Sequence, residues 1–179
     1  MRLSIRGKTC PRQPMTVESI VPNIGIAVKS REDIVQLLGA LLPDEYVPFT
    51  ETREYHWNVT GPRFQKLHEF FKTLYTQLDL IVDDVAERLT QLGGKTVSTL
   101  EKFGTLTRSR ENAGQYLDAN KKLSNLRNDH EAVIRGLRID VDACADRYHD
   151  IGTNDFLVGL MEQHEKIAWM IRAHIEGGS

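Results

Sequence analysis

The feature that most constrains this 179-residue chain is a long run of apolar side chains at helical spacing. Between Arg63 and Leu92, apolar residues recur every three or four positions, as on one face of an α-helix. Pro62 suits the first turn of such a helix, and Gly93 and Gly94 suit its end. A helix of this length must bury its apolar face against other elements, so it predicts the core of the fold.

Three other stretches have the same spacing. One covers residues 31–57, where Pro43 and Pro48 each remove a backbone donor and predict a helix that is kinked or starts late. Another runs from about Ser109 to Tyr148, and the last begins near Thr153, a suitable N-cap.

No stretch shows the sustained alternation of a half-buried strand. The predicted class is therefore all-α, with a four-helix bundle as the architecture. The connection at residues 95–107, between the second and third main helices, has room for a short extra helix.

Composition predicts one domain with an arm. With 40% apolar residues, the length suits a single core. Residues 1–29 are broken by glycine and proline and predict an extended arm, which leaves 30–179 as the bundle domain.

The net charge of −2 argues against a surface built wholly for nucleic acid or membrane. Two cysteines make no disulfide framework, and no signal or membrane segment is visible, so a cytoplasmic location is expected.

Four residues of the first two helices have the chemistry of a metal site. His56 and His68 lie on either side of the break at Gly61, so the chain can reverse and bring them together. Asp83 and Glu87 share a helical face, and carboxylates with imidazoles suit iron or zinc. Fifteen residues of helix place His68 roughly 22 Å from Asp83, too far for one ion. A site that uses all four therefore needs the carboxylates of a second, antiparallel chain related by a two-fold axis.

Spacing alone leaves a plainer interpretation open. His56 and His68 could be hydrogen-bonded core or surface histidines, and Asp83 and Glu87 could lie on a solvated face.

The stretches "YHWNVTGPRFQKLHEFF" and "LDLIVDDVAERLTQLGG" resemble the signature of the Dps family, the miniferritins named for the DNA-binding protein from starved cells. The family pattern is His-x-Trp-Asn-Val-x-Gly, a second histidine twelve residues after the first, and then an aspartate followed four residues on by a glutamate ahead of arginine. The residues that match are His56, Trp57, Asn58, Val59, Gly61, His68, Asp83, Glu87 and Arg88.

This resemblance implies a ferritin-like four-helix bundle, twelve copies of which form a hollow cage. It implies ferroxidase sites between two-fold-related subunits, where ferrous iron is oxidised, preferably by hydrogen peroxide, and stored inside as ferric mineral. The implied ligands are His56 and His68 of one chain with Asp83 and Glu87 of its partner, and zinc could occupy the same site. Trp57 is similar to the family's aromatic residue that absorbs stray oxidising equivalents, although it could simply serve packing.

One position departs from the family pattern. Lys72 stands where members commonly have a carboxylate four residues after the second histidine, and an ammonium is a poor neighbour for a second ferrous ion. His164 lies among apolar residues of the last helix and is a candidate substitute ligand, with a hydrogen-bonded core histidine as the alternative. A degenerate site would instead leave a non-catalytic, DNA-binding cage.

Two charged segments predict an entry route for iron and a contact with DNA. The resemblance implies acidic pores at three-fold axes, and Asp142 and Asp146, which share a face, are the candidates, with a solvated helix end as the alternative. Arg2, Arg6, Lys8 and Arg12 precede the first acidic residue and would let twelve arms hold DNA through its phosphates.

Overall fold

This computed structural model describes residues 21–97, 99–107 and 117–177, and all elements named below lie in these ranges. The four basic residues predicted to contact DNA lie outside them. No strand occurs in these ranges. A π-helical turn, Ala143–Arg147, directly follows the fourth helix. The helices are α1 (Val28–Asn58), α2 (Phe64–Gln91), α3 (Leu100–Leu106), α4 (Ala119–Asp142) and α5 (Ile151–Glu176).

The long helices form two packed hairpins, α1 with α2 and α4 with α5, and these associate as a four-helix bundle. The predicted all-α fold is confirmed, including the short extra helix, α3, between the second and third main helices. α3 packs on α1 through Phe103, whose ring stacks on Tyr46 with centroids 4.8 Å apart. None of the described helices has both the length and the apolar composition that crossing a bilayer requires.

Helix boundaries within the described residues differ from the prediction in two places. α1 begins at Val28 and continues through both prolines, so the expected late start is wrong. The predicted start of the third main helix, about Ser109, lies outside the described residues; the described helix α4 begins at Ala119, where the Asp118 side chain accepts a hydrogen bond from the Lys121 amide. Asp150, not Thr153, caps α5 by accepting from the amides of residues 152 and 153.

Arg88 joins the end of α2 to the start of α5. Its Nε and Nη2 donate to Thr153 Oγ1 at 3.1 and 2.9 Å, and Nη2 lies 3.5 Å from Asp150 Oδ2. Because Asp150 is buried and also caps α5, this contact fixes the end of α2 that carries Asp83 and Glu87.

A carboxyl pair joins α1 to α4. Glu51 of α1 and Asp129 of α4 share a hydrogen bond, and burial together with this bond raises the pKa of the Asp129 carboxyl from 3.8 to about 8. Between these values the folded chain holds a proton that the unfolded chain has released. The free energy of unfolding contributed by Asp129 therefore falls as pH rises from 3.8 to 8.

Asp129→Asn should remove this dependence, because the amide can still bond Glu51 but does not titrate. Urea unfolding at fixed protein concentration should show the variant more stable than the wild type by about 1–2 kcal/mol at pH 8.5, with the difference gone at pH 4. Asp155→Asn, at an exposed position of α5, is the matched control and should change little at either pH. Parallel pH profiles for wild type and Asp129→Asn would contradict the shared proton.

Candidate metal site

The turn between α1 and α2 brings the two predicted histidines into contact. Gly61 has φ of +98°, a conformation that glycine adopts without strain, and its carbonyl accepts from the amide of Phe64 at 2.9 Å. The chain reverses within residues 59–63, so the last turn of α1 lies beside the first turns of α2. His56 is buried, His68 is half-buried, and their rings stack with centroids 3.8 Å apart.

The two histidines are held by a reciprocal pair of backbone contacts. His56 Nδ1 lies 2.8 Å from the His68 carbonyl oxygen, and His68 Nδ1 lies 2.9 Å from the His56 carbonyl oxygen. A carbonyl oxygen can only accept, so each Nδ1 must carry the proton and donate it. In the neutral rings the lone pair is then on Nε2, the tautomer of a metal-ligating histidine whose other nitrogen is fixed by a carbonyl. Neither Nε2 has a hydrogen-bond partner among the described residues.

Aromatic rings confine the histidine pair on both sides. Phe64 lies against His68 with ring centroids 5.1 Å apart, and Tyr75 meets His56 edge-on at 5.3 Å. The Arg53 guanidinium lies 5.7 Å from the ring centroid of Trp57 and the same distance from that of Tyr75. Trp57 itself is 66% exposed, so within one chain its ring is not part of the core.

The two predicted carboxylates lie far from the histidines. Asp83 and Glu87 are exposed near the other end of α2, which runs unbroken from Phe64 to Gln91. Fifteen residues of continuous helix separate His68 from Asp83 by roughly 22 Å. Among the residues that the structure describes, no group of three or more His, Cys, Asp or Glu side chains could hold a metal ion.

His164 lies in the bundle core, in contact with two other ionisable groups. Its Nε2 is 3.0 Å from Oε2 of Glu45, and its Nδ1 is 2.8 Å from Nδ1 of His130. All three side chains are completely buried. The contact to Glu45 is an ion pair by distance but lacks the direction of a hydrogen bond, and His130 Nε2 has no protein partner in the described ranges. His164 thus has the contacts of the core alternative, and its ring nitrogens face Glu45 and His130 rather than His56 and His68.

The predicted pore residues lie at the end of α4. Asp142 is its last residue and Asp146 lies in the π-helical turn, and both are exposed. The neighbouring Asp140 and Asp150 are buried, and Asp150 serves as the cap of α5.

Glu45 and Tyr75 were missed at the sequence level. Glu45 falls on the apolar stripe of α1, four residues after Leu41 and four before Phe49, and this position was the available signal. Tyr75 is seven residues after His68, two turns along the same helical face, so its approach to His56 follows only once α1 and α2 are packed.

Comparison of the chain with known protein families and related proteins agrees with this fold. Residues 35–178 match the family model of the ferritin-like domain, which makes the chain a ferritin-like protein. It is 43% identical over 155 residues to a low temperature-induced protein of Nostoc sp., covering 87% of each chain. It is also 32% identical over 144 residues to DNA protection during starvation protein 2 of Bacillus anthracis, covering 80% of this chain and 97% of that protein.

A solved structure is similar over the same region. The crystal structure of a Dps protein from Bacillus brevis superimposes with a TM-score of 0.77 at 29% identity, covering 82% of this chain and 97% of that one. The chain belongs to the Dps family of ferritin-like proteins.

Proposed function

We propose that this protein is a ferroxidase and iron-storage protein whose catalytic sites are shared between two copies of the chain. Ferrous iron is the substrate, and hydrogen peroxide is the preferred oxidant. Membership of the Dps family supports an iron-storage role of the ferritin type. The observation that carries the proposal is the histidine pair, in which backbone carbonyls fix both Nδ1 protons and leave both Nε2 atoms available to bind a metal ion.

Each residue has a separate role in this site. His56 and His68 hold the ferrous ion through neutral imidazoles. Asp83 and Glu87 of a second copy supply the negative charge that a divalent ion and its ferric product need. Trp57, exposed beside the site, is positioned to take up stray oxidising equivalents.

The overall stoichiometry leaves no hydroxyl radical among the products. Two ferrous ions, reacting in a pair or in sequence, each give one electron to hydrogen peroxide, which takes up two protons and leaves as two waters. The ferric product then hydrolyses and releases protons to the solvent. This stoichiometry removes iron and peroxide together.

The proposed assembly is the twelve-copy cage of the family, with the mineral inside. Asp142 and Asp146, exposed at the end of α4, would line the acidic route for ferrous iron. A cytoplasmic location and a DNA contact through the basic arm are part of the proposal and rest on the sequence alone. Zinc suits the same imidazole and carboxylate ligands and would act as a redox-inert competitor.

The test is peroxide consumption on adding ferrous iron without oxygen. The wild-type protein should consume about one peroxide for each two ferrous ions, the ratio set by electron balance. His68→Ala and Asp83→Ala should each slow the reaction about a hundredfold or more, because each removes a ligand. Unchanged rates in both variants would overturn the proposal.

The second candidate is a non-catalytic cage that binds DNA. The exposed Lys72 ammonium, one helical turn after His68, favours it because it places positive charge beside the metal position. Wild-type protein that assembles but consumes no peroxide with ferrous iron would support this candidate instead.

A further inference from the structure

One stripe of α2 carries positive charge at its start and negative charge further along. At 100° per residue, His68, Lys72, Asp79 and Asp83 fall within about 60° of one another around the helix axis. The stripe points away from the core, which contacts the opposite face through residues such as Leu74. Lys72, Asp79 and Asp83 are all exposed.

The charges of this stripe are not balanced by residues in the described part of the chain. Lys72, Asp79 and Asp83 form no ion pair with any residue in the described part of the chain. Arg88, five residues beyond Asp83, points instead to Asp150 and Thr153. The stripe therefore presents an unpaired cation and unpaired carboxylates to whatever covers it.

A second copy of α2 complements this pattern. In an antiparallel pair related by a two-fold axis, residues at the same angle face each other, and their numbers add to a constant. If His68 lies level with the midpoint of Asp83 and Glu87, the constant is about 153, and Lys72 lies level, along the helix axis, with position 81 of the other copy. That position lies about 3 Å along the axis from Asp79 and from Asp83, within reach of a lysine side chain.

We propose that Lys72 determines how many metal ions the shared site binds. Its ammonium pairs across the two-fold axis with the carboxylate of Asp79 in the second copy. It thereby occupies the space one turn from His68 where a second cation would be held, so each site takes one metal ion. This inference depends on the proposed shared site. It adds the number of metal ions that each site binds and names Lys72 as the residue that sets this number.

Calorimetric titration of the metal-free, assembled full-length protein with Zn²⁺ tests the inference, since zinc does not turn over. The wild type should bind one Zn²⁺ per chain at a site that His68→Ala removes. Lys72→Asp should bind two per chain, because it replaces the repelling ammonium with a ligand. Lys72→Asp combined with Asp79→Lys restores the ion pair in reverse and should return to one.

The control is Lys66→Asp, which makes the same charge change at an exposed position of α2 and should keep one Zn²⁺ per chain. Two zinc ions per wild-type chain, both lost in His68→Ala, would overturn this inference and leave the shared site standing. One zinc ion in Lys72→Asp would overturn it as well. Unchanged zinc binding in His68→Ala would instead remove the proposed function. The wild-type result can overturn the inference even if a Lys72 variant fails to assemble.

Discussion

Co-assembly of two inactive variants, His68→Ala and Asp83→Ala, is expected to restore about a quarter of the wild-type rate of ferrous oxidation. Each two-fold dimer holds two sites, and each site takes histidines from one chain and carboxylates from the other. In a mixed dimer, one site combines the intact histidines of the Asp83→Ala chain with the intact carboxylates of the His68→Ala chain. The other site lacks both groups. Random mixing makes half of the dimers mixed, so one site in four is intact.

The experiment requires co-expression of the two chains with different affinity tags and purification through both. The rate of peroxide-dependent ferrous oxidation is then compared with that of each variant alone. A double variant, His68→Ala with Asp83→Ala, co-expressed with the wild type is the matched control: its mixed dimers lack one functional group from each site and should have no intact site. Its wild-type homodimers then leave about one site in four intact, whereas a site within one chain would leave about half of the sites intact in the control and none in the first mixture.

Two results would contradict the shared site. If the complementing mixture stays as inactive as each variant alone, the ligands belong to one chain. If His68→Ala alone keeps the full rate, the histidine pair is not the site of oxidation. The continuous helix between His68 and Asp83 makes the first result hard to reconcile with any site containing both.

The sequence predicted the bundle and the meeting of His56 and His68 because both follow from local rules. Helical spacing defined α2 almost to the residue, and a glycine before a proline marked the reversal that brings the histidines together. The reciprocal contacts between each Nδ1 and the other histidine's carbonyl could not be predicted, because they depend on the register of α1 against α2. Packing also explains why α1 passes through Pro43 and Pro48: burial of its apolar stripe outweighs the two lost backbone bonds.

The buried group of Glu45, His130 and His164 could not be predicted for the same reason, since its members come from three helices. Sequence spacing placed His164 on the apolar stripe but gave no partner for it. Only the packed bundle supplies Glu45 on one side and His130 on the other.

Replacing His164 with leucine is expected to lower the free energy of unfolding by about 3–5 kcal/mol. The reason is the fully buried carboxyl group of Glu45, which would lose its 3.0 Å contact with His164 Nε2 and have no polar partner left in the described part of the chain. His130 would also lose its hydrogen bond to His164, the one its ring makes among the described residues, which leaves a second unsatisfied group in the core. Urea unfolding at pH 7 and fixed protein concentration measures the loss.

The matched control removes all three polar groups at once, as Glu45→Met, His130→Leu and His164→Leu. Buried ionic groups gain little over apolar residues of similar volume, so this variant should recover to within about 1 kcal/mol of the wild type or exceed it. A loss in the triple variant as large as in His164→Leu would mean that the apolar packing around the group, rather than its charges, sets the stability.

The pH dependence of the free energy of unfolding further separates an effect of the buried polar groups from an effect of apolar packing. Burial, followed by the neighbouring His164, lowers the pKa of His130 well below 6.5, so the folded chain keeps this ring neutral. Below about pH 6.5 the unfolded chain binds a proton at His130 that the folded chain does not, and wild-type stability should fall as the pH falls. The triple variant lacks this histidine and should lose less stability between pH 6.5 and pH 5. Equal losses of stability in the two proteins would contradict a neutral His130 ring in the folded chain.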